Sequence, residues 1–147
     1  MERIIFQLIA AVVGTVGFSL IFNVGKKFLA AAAAGGFITW SAFLVCQEIF
    51  VLDVLLCTIL AAAMGQIYAE VMARVFKSPT TVFFIPAAVP LIPGGSLYNT
   101  MYAAVNRDWG LLRYHGMQTL MGTLGIAIGL SLVSAVLYVV NNYRKHK

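Results

Sequence analysis

Charge is scarce in this chain: of 147 residues ten are Lys or Arg and five are Asp or Glu, so 10% are charged against 61% hydrophobic. A soluble domain carries about 25% charged residues to wet its surface, and a mean hydropathy of +0.92 excludes one here. The few cations are dispersed among loops rather than gathered on one helix or strand, which excludes a nucleic-acid partner. Cysteine is as sparse. Cys46 and Cys57 stand eleven positions apart with no CxxC spacing and no histidine nearby, so they frame no disulfide or metal site and are assigned to packing. HExxH, GxSxG and Walker patterns are all missing. No catalytic group, metal or cofactor is expected, and the chain is not read as an enzyme.

Apolar runs are what the chain has in quantity. They cover about 4–22, 28–45, 49–73, 80–105 and 117–140, each near the ~20 residues a spanning helix needs. The expected fold is an all-α polytopic membrane protein, a single transmembrane domain over 1–147 with about five helices, the fourth broken. A cleaved signal peptide is the competing reading of the first run, with the alanines at 30–34 as its cleavage site. Against it, the run exceeds a typical h-region, and its stronger positive charge, Lys26 and Lys27, follows it. Small residues four apart, Ala10 with Gly14, Ala61 with Gly65 and Ala69, and Gly125 with Gly129, predict faces where helix backbones meet closely.

Lys26, Lys27, Arg74, Lys77, Arg144, Lys145 and Lys147 fall on one side of such a bundle, and Arg3, Arg107 and Arg113 on the other. The positive-inside rule then places the N-terminus outside and the C-terminus in the cytoplasm. An odd helix count means that a second unit joined in series runs through the membrane in the opposite sense, so a partner is expected. Three ionisable residues are assigned to the interface, with any part in proton coupling left open: Asp53 within two turns of a helix start, Glu70 four residues before Arg74, and His115 at the end of a loop over 106–116. Gln66 lies one turn before Glu70 on the same face.

Within the fourth run, FFIPAAVPLIPGGSLYNTMY holds Pro86, Pro90 and Pro93 followed by Gly94 and Gly95. Each proline removes a backbone donor and clashes with the preceding turn. Irregular backbone at membrane depth persists where protein buries it or where it lines a cavity. A half-helix resuming at about Ser96 would aim its free N–H groups and positive dipole end at an anion such as a carboxylate. Ser96 is expected to cap it, and the glycines to permit close approach and unusual backbone angles. Asn99, Tyr102 and Asn106 continue a polar stripe able to bond a substrate's amino or hydroxyl groups. Taken singly, each of these residues is more often a cap, helix glue or packing; taken with the break, they form the candidate substrate-binding set Gly94, Gly95, Ser96, Asn99 and Tyr102.

The stretch from Arg74 through Pro79 to PAAVPLIPGGSLY, followed by LGIAIGLSL, resembles the threonine/serine exporter family. More narrowly it resembles the small subunit of the split form, whose fused relatives carry this unit as their C-terminal membrane half. The resemblance carries Pro86, Pro90, Pro93, Gly94 and Gly95; Ser96, Asn99 and Tyr102 rest on the physical reading. It implies export of threonine, serine or dicarboxylates such as succinate across the bacterial cytoplasmic membrane. It also implies a larger partner subunit with its own transmembrane helices and a soluble domain. A gradient would drive export, since no ATP site is present; membrane lipid and further copies of the chain complete the expected partners. The competing function is a non-transporting scaffold subunit in which the break only packs.

Overall fold

The computed structural model describes residues 2–50 and 52–145, the side chains of Asn141, Arg144 and Lys145 apart. His146 and Lys147, the latter counted above toward the basic side, lie outside the described residues. Regular structure among the described residues is entirely helical: α1 (Glu2–Ile21), α2 (Leu29–Glu48), α3 (Val54–Phe76), α4 (Thr81–Ala88), α5 (Gly94–Val105) and α6 (Trp109–Lys145). Short 3-10 turns at Lys26–Phe28 and Val89–Leu91 lead into α2 and out of α4. Helices α1, α2, α3 and α6 are each long and apolar enough to cross a membrane, and Thr81–Leu91 with Gly94–Val105 forms a pair bent by 51°. Such a bent pair is a broken span or a re-entrant loop by geometry. Gly125 of α6 sits beside Leu55 and Thr58 in the first turns of α3, and Leu132 to Leu137 sit beside Ile67 farther along. Helices α3 and α6 therefore run parallel, and the chain between them has to return across the membrane. The chain is a multi-pass membrane protein.

Threonine on glycine is the recurring contact that holds the bundle. Gly36 of α2 faces Thr15 of α1 with no room for a Cβ. A Cβ on Gly65 of α3 would stand 2.8 Å from Thr39 Oγ1, and one on Gly125 of α6 2.7 Å from Thr58 Cβ. Each threonine hydroxyl is already satisfied within its own helix, Thr15 on the Ala11 carbonyl, Thr39 on that of Gly35 and Thr58 on that of Val54, at 2.7–2.8 Å. The polar atom thus costs little to bury, and the side chain serves as a knob in a glycine hole, the close backbone approach that drives association in lipid. The expected Ala10/Gly14 face is the exception. A Cβ on Gly14 meets nothing within 4 Å, because α1 packs through Ala11, Thr15 and Ser19, one residue further round the helix.

One long-range hydrogen bond pins α3 to α2: Tyr68 donates its hydroxyl to the Ala31 carbonyl at 2.7 Å. Its loss in Tyr68→Phe is expected to lower stability by about 1 kcal/mol, read as a lower midpoint of thermal unfolding in detergent with helix content unchanged.

Two helix ends differ from expectation. The last helix begins at Trp109 rather than near 117, because Asp108 accepts the N–H groups of Gly110 and Leu111 at 3.1 Å each and so caps it. The expected loop shrinks to the turn at 106–108, with Arg107 at a φ of 57°, and His115 moves into α6, edge-on to Tyr114. With 37 residues, α6 is about 55 Å long, well over the ~30 Å of a hydrocarbon core. Since Gly125 is level with the start of α3, the residues before it form a hairpin with α5 that continues past that level. Helix α3 in turn starts at Val54, with Asp53 exposed in the N-cap position and making no side-chain cap. Glu70 pairs with Arg74 at 3.7 Å, as the spacing predicts, and also accepts the Thr80 hydroxyl at 3.1 Å.

Candidate functional site

The break lies at Ile92–Pro93, within the Pro-Gly stretch and past Pro86. Pro86 sits buried inside α4, whose helix continues through it, and Pro90 lies in the 3-10 turn. Only at Ile92 does the backbone become extended (ψ 122°), and α5 resumes directly after Pro93. Pro86 spoils a single turn, and its ring is covered by the bundle, so the helix absorbs it. Helix α5 starts two residues before the expected Ser96, because Gly94 and Gly95 take helical rather than left-handed angles; among the described residues no glycine has a positive φ. Ser96 is consequently the third residue of the helix, not its cap, and its N-cap position, Pro93, offers no side-chain bond.

What this arrangement leaves is a set of free donors. The Gly94 N–H folds back onto the Ile92 carbonyl at 2.7 Å and Leu97 N–H bonds the Pro93 carbonyl at 2.9 Å. Between them, the N–H groups of Gly95 and Ser96 have no backbone acceptor among the described residues. Both glycines border open space, since a Cβ on either meets nothing within 4 Å. A cavity of about 320 Å³ lies there. Gly94, Gly95 and Ser96 line it on one side; Gln47 from the end of α2, Thr58 of α3 and Gln118 of α6 supply polar groups on the others, and Trp40 and Phe43 give it an aromatic wall. Trp40 Nε1 is buried without a hydrogen-bond partner. Gln47 and Val54 belong to adjoining helix ends, so the cavity reaches the end of the bundle that holds the N-terminus. Pro93 is held against α6, where a Cβ on Gly122 would stand 3.2 Å from the proline ring.

The expected residues divide. Gly94, Gly95 and Ser96 come together at the cavity with Pro90 and Pro93, whereas Asn99 and Tyr102 do not line it. Tyr102 is exposed and stacks on Tyr98 with ring centroids 6.5 Å apart, and Asn99 is exposed on the same face. The packed side of α5 runs through Ala103 and through Thr100, which meets Thr119 of α6 at 3.4 Å. Asn106 bonds its own helix at the Tyr102 carbonyl. Asp53, Glu70 and His115 are not among the cavity residues. Gln66 is buried with its Oε1 unpaired, on α3, also outside the cavity lining. Gln47, Trp40 and Gln118 escaped the sequence reading, as each lies on a different run from the break.

Comparison with known proteins gives one finding that bears on this geometry: the family model described as "Threonine/Serine exporter, ThrE" matches residues 7–136. No curated protein and no solved structure matches the chain.

Proposed function

The chain belongs to the threonine/serine exporter family, a family of membrane transport proteins, and on that footing we propose that the cavity at the Pro93 break is where the exported solute binds. The observation that carries this reading is the pair of unpartnered N–H groups at Gly95 and Ser96, opening onto a cavity with amide and hydroxyl groups around it. A carboxylate matches the donors and the positive end of the α5 dipole. The carboxamide oxygens of Gln47 and Gln118 are acceptors for an ammonium or a side-chain hydroxyl, and the Trp40 N–H is a further donor. Threonine and serine offer all three groups; a dicarboxylate such as succinate would use the donors and leave the acceptors idle. The solute is therefore a small hydroxylated amino acid first, and a dicarboxylate second.

In this reading the chain is half of the path. Helix α5 packs chiefly on α6, and its Tyr98, Asn99 and Tyr102 face stands open beside the cavity mouth. A larger subunit with its own transmembrane helices would seat on that face and close the cavity, which gives Asn99 and Tyr102 their place in the site. The setting is the bacterial cytoplasmic membrane, N-terminus outside. Cells lacking the chain are expected to retain threonine and serine, and restoring it together with its partner to restore efflux. Unchanged efflux in its absence sinks the proposal.

A further inference from the structure

The opposite end of the bundle carries a second concavity, unrelated to the break. A groove of about 460 Å³ runs between the connection from α1 to α2 and the start of α4. Phe22, Val24, Phe28, Val82, Ile85 and Pro86 make it apolar, with Ile85 and Pro86 a turn inward from the helix start. Its mouth is basic. Lys27 Nζ stands 4.7 Å from the centroid of the Phe28 ring, a cation–π contact that holds the ammonium at the groove edge. The same ring meets Phe76 edge-on at 5.5 Å, which brings Lys77, the next residue, to this corner. Arg74 is engaged by Glu70. Lys26, Lys27 and Lys77 pair with no carboxylate among the described residues, and the remaining acids, Glu2, Glu48, Asp53 and Asp108, all sit at the far end of their helices.

We propose that this groove binds one anionic phospholipid, its phosphate on Lys27 and Lys77 and an acyl chain along Phe28, Val82 and Ile85. Charge complementarity selects the headgroup, since Lys27 and Lys77, both free of carboxylates, share one rim. The apolar floor under that rim, at a helix end where the bilayer begins, selects an amphiphile over a soluble anion. Basic pockets between spanning helices recognise anionic headgroups by the same physics.

The test uses the full chain in a neutral detergent, titrated in native mass spectrometry with phosphatidylglycerol, with phosphatidylcholine of the same acyl chains, and with glycerol 3-phosphate as the headgroup alone. Phosphatidylglycerol is expected to bind about tenfold more tightly than phosphatidylcholine, and glycerol 3-phosphate far more weakly than either. In the double variant Lys27→Gln and Lys77→Gln, both positions being exposed, the preference should vanish with helix content intact by circular dichroism. Ile85→Trp, which fills the floor, should weaken both lipids. Equal binding of the two lipids to the wild type, a preference that survives the double variant, or glycerol 3-phosphate binding as tightly as the lipid would each overturn the proposal. The lysine pair decides the matter alone if Ile85→Trp does not fold.

Discussion

Gly129→Val is expected to remove the protein from the membrane almost completely. A Cβ at this position would stand 2.6 Å from the Ile59 carbonyl oxygen and 2.8 Å from Ala62 Cβ, so the first obstacle is backbone, which cannot rotate aside. Overpacking of a close interface costs roughly 1–3 kcal/mol and more when backbone has to move. Set against a total stability of order 5–15 kcal/mol, the loss falls on the contact of α3 with α6 that also fixes where the break meets Gly122. The measurement is accumulation in the membrane fraction and the thermal midpoint in detergent, with Gly14→Val as the control. Gly14 has open space around it, so its variant should accumulate normally. Equal behaviour of the two variants would contradict the packing described for α6.

Gly95→Leu should do the reverse, leaving the fold and stopping transport. Nothing lies within 4 Å of a Cβ at Gly95 and its φ is negative, so a side chain there enters the cavity rather than a neighbour. It would cover the free N–H groups of Gly95 and Ser96 and reduce the 320 Å³ available. Efflux of threonine and serine is expected to fall by at least about tenfold, equivalent to ~1.4 kcal/mol of lost binding, with membrane accumulation and association with the partner unchanged. The scaffold reading predicts the opposite pattern, normal accumulation of the chain but loss of the complex.

Hydropathy and proline placement made most of the architecture legible. The spanning runs, the bent fourth span and the Glu70–Arg74 pair all follow from local spacing, and α6 meets α3 through Gly125 and Gly129, which the spacing marked. The start of α6 did not, because Trp109 to Gly116 mixes aromatic, basic and apolar residues without a clean period; its one usable signal was Asp108, a good N-cap residue just before a helix-length run. The position of the break within three clustered prolines and two glycines was likewise ambiguous. Each proline disrupts one turn, and only packing decides which turn gives way. Pro86 has the bundle over its ring and is carried through, whereas Ile92 is exposed and turns extended.

The candidate site was half legible for a related reason. Helical periodicity put Ser96, Asn99 and Tyr102 near one another, but a period does not say which neighbour covers a face. Thr100 and Ala103 turned out to be the packed side. Gln47 and Gln118 were invisible as partners of the break, since they lie 71 positions apart in the chain and meet only because α2 ends where α6 passes Pro93.

The claim that the break binds the solute is tested most directly by substrate protection of a single thiol. Cys46 and Cys57 are both buried and so poorly reactive, which leaves a Gly95→Cys variant with one accessible sulfur at the cavity. In membranes holding the chain and its partner, a small maleimide should label that sulfur, and saturating threonine or serine should slow the labelling severalfold while an unrelated amino acid such as lysine does not. Labelling at the same rate with and without threonine, serine and succinate would contradict the assignment of this cavity as the binding site.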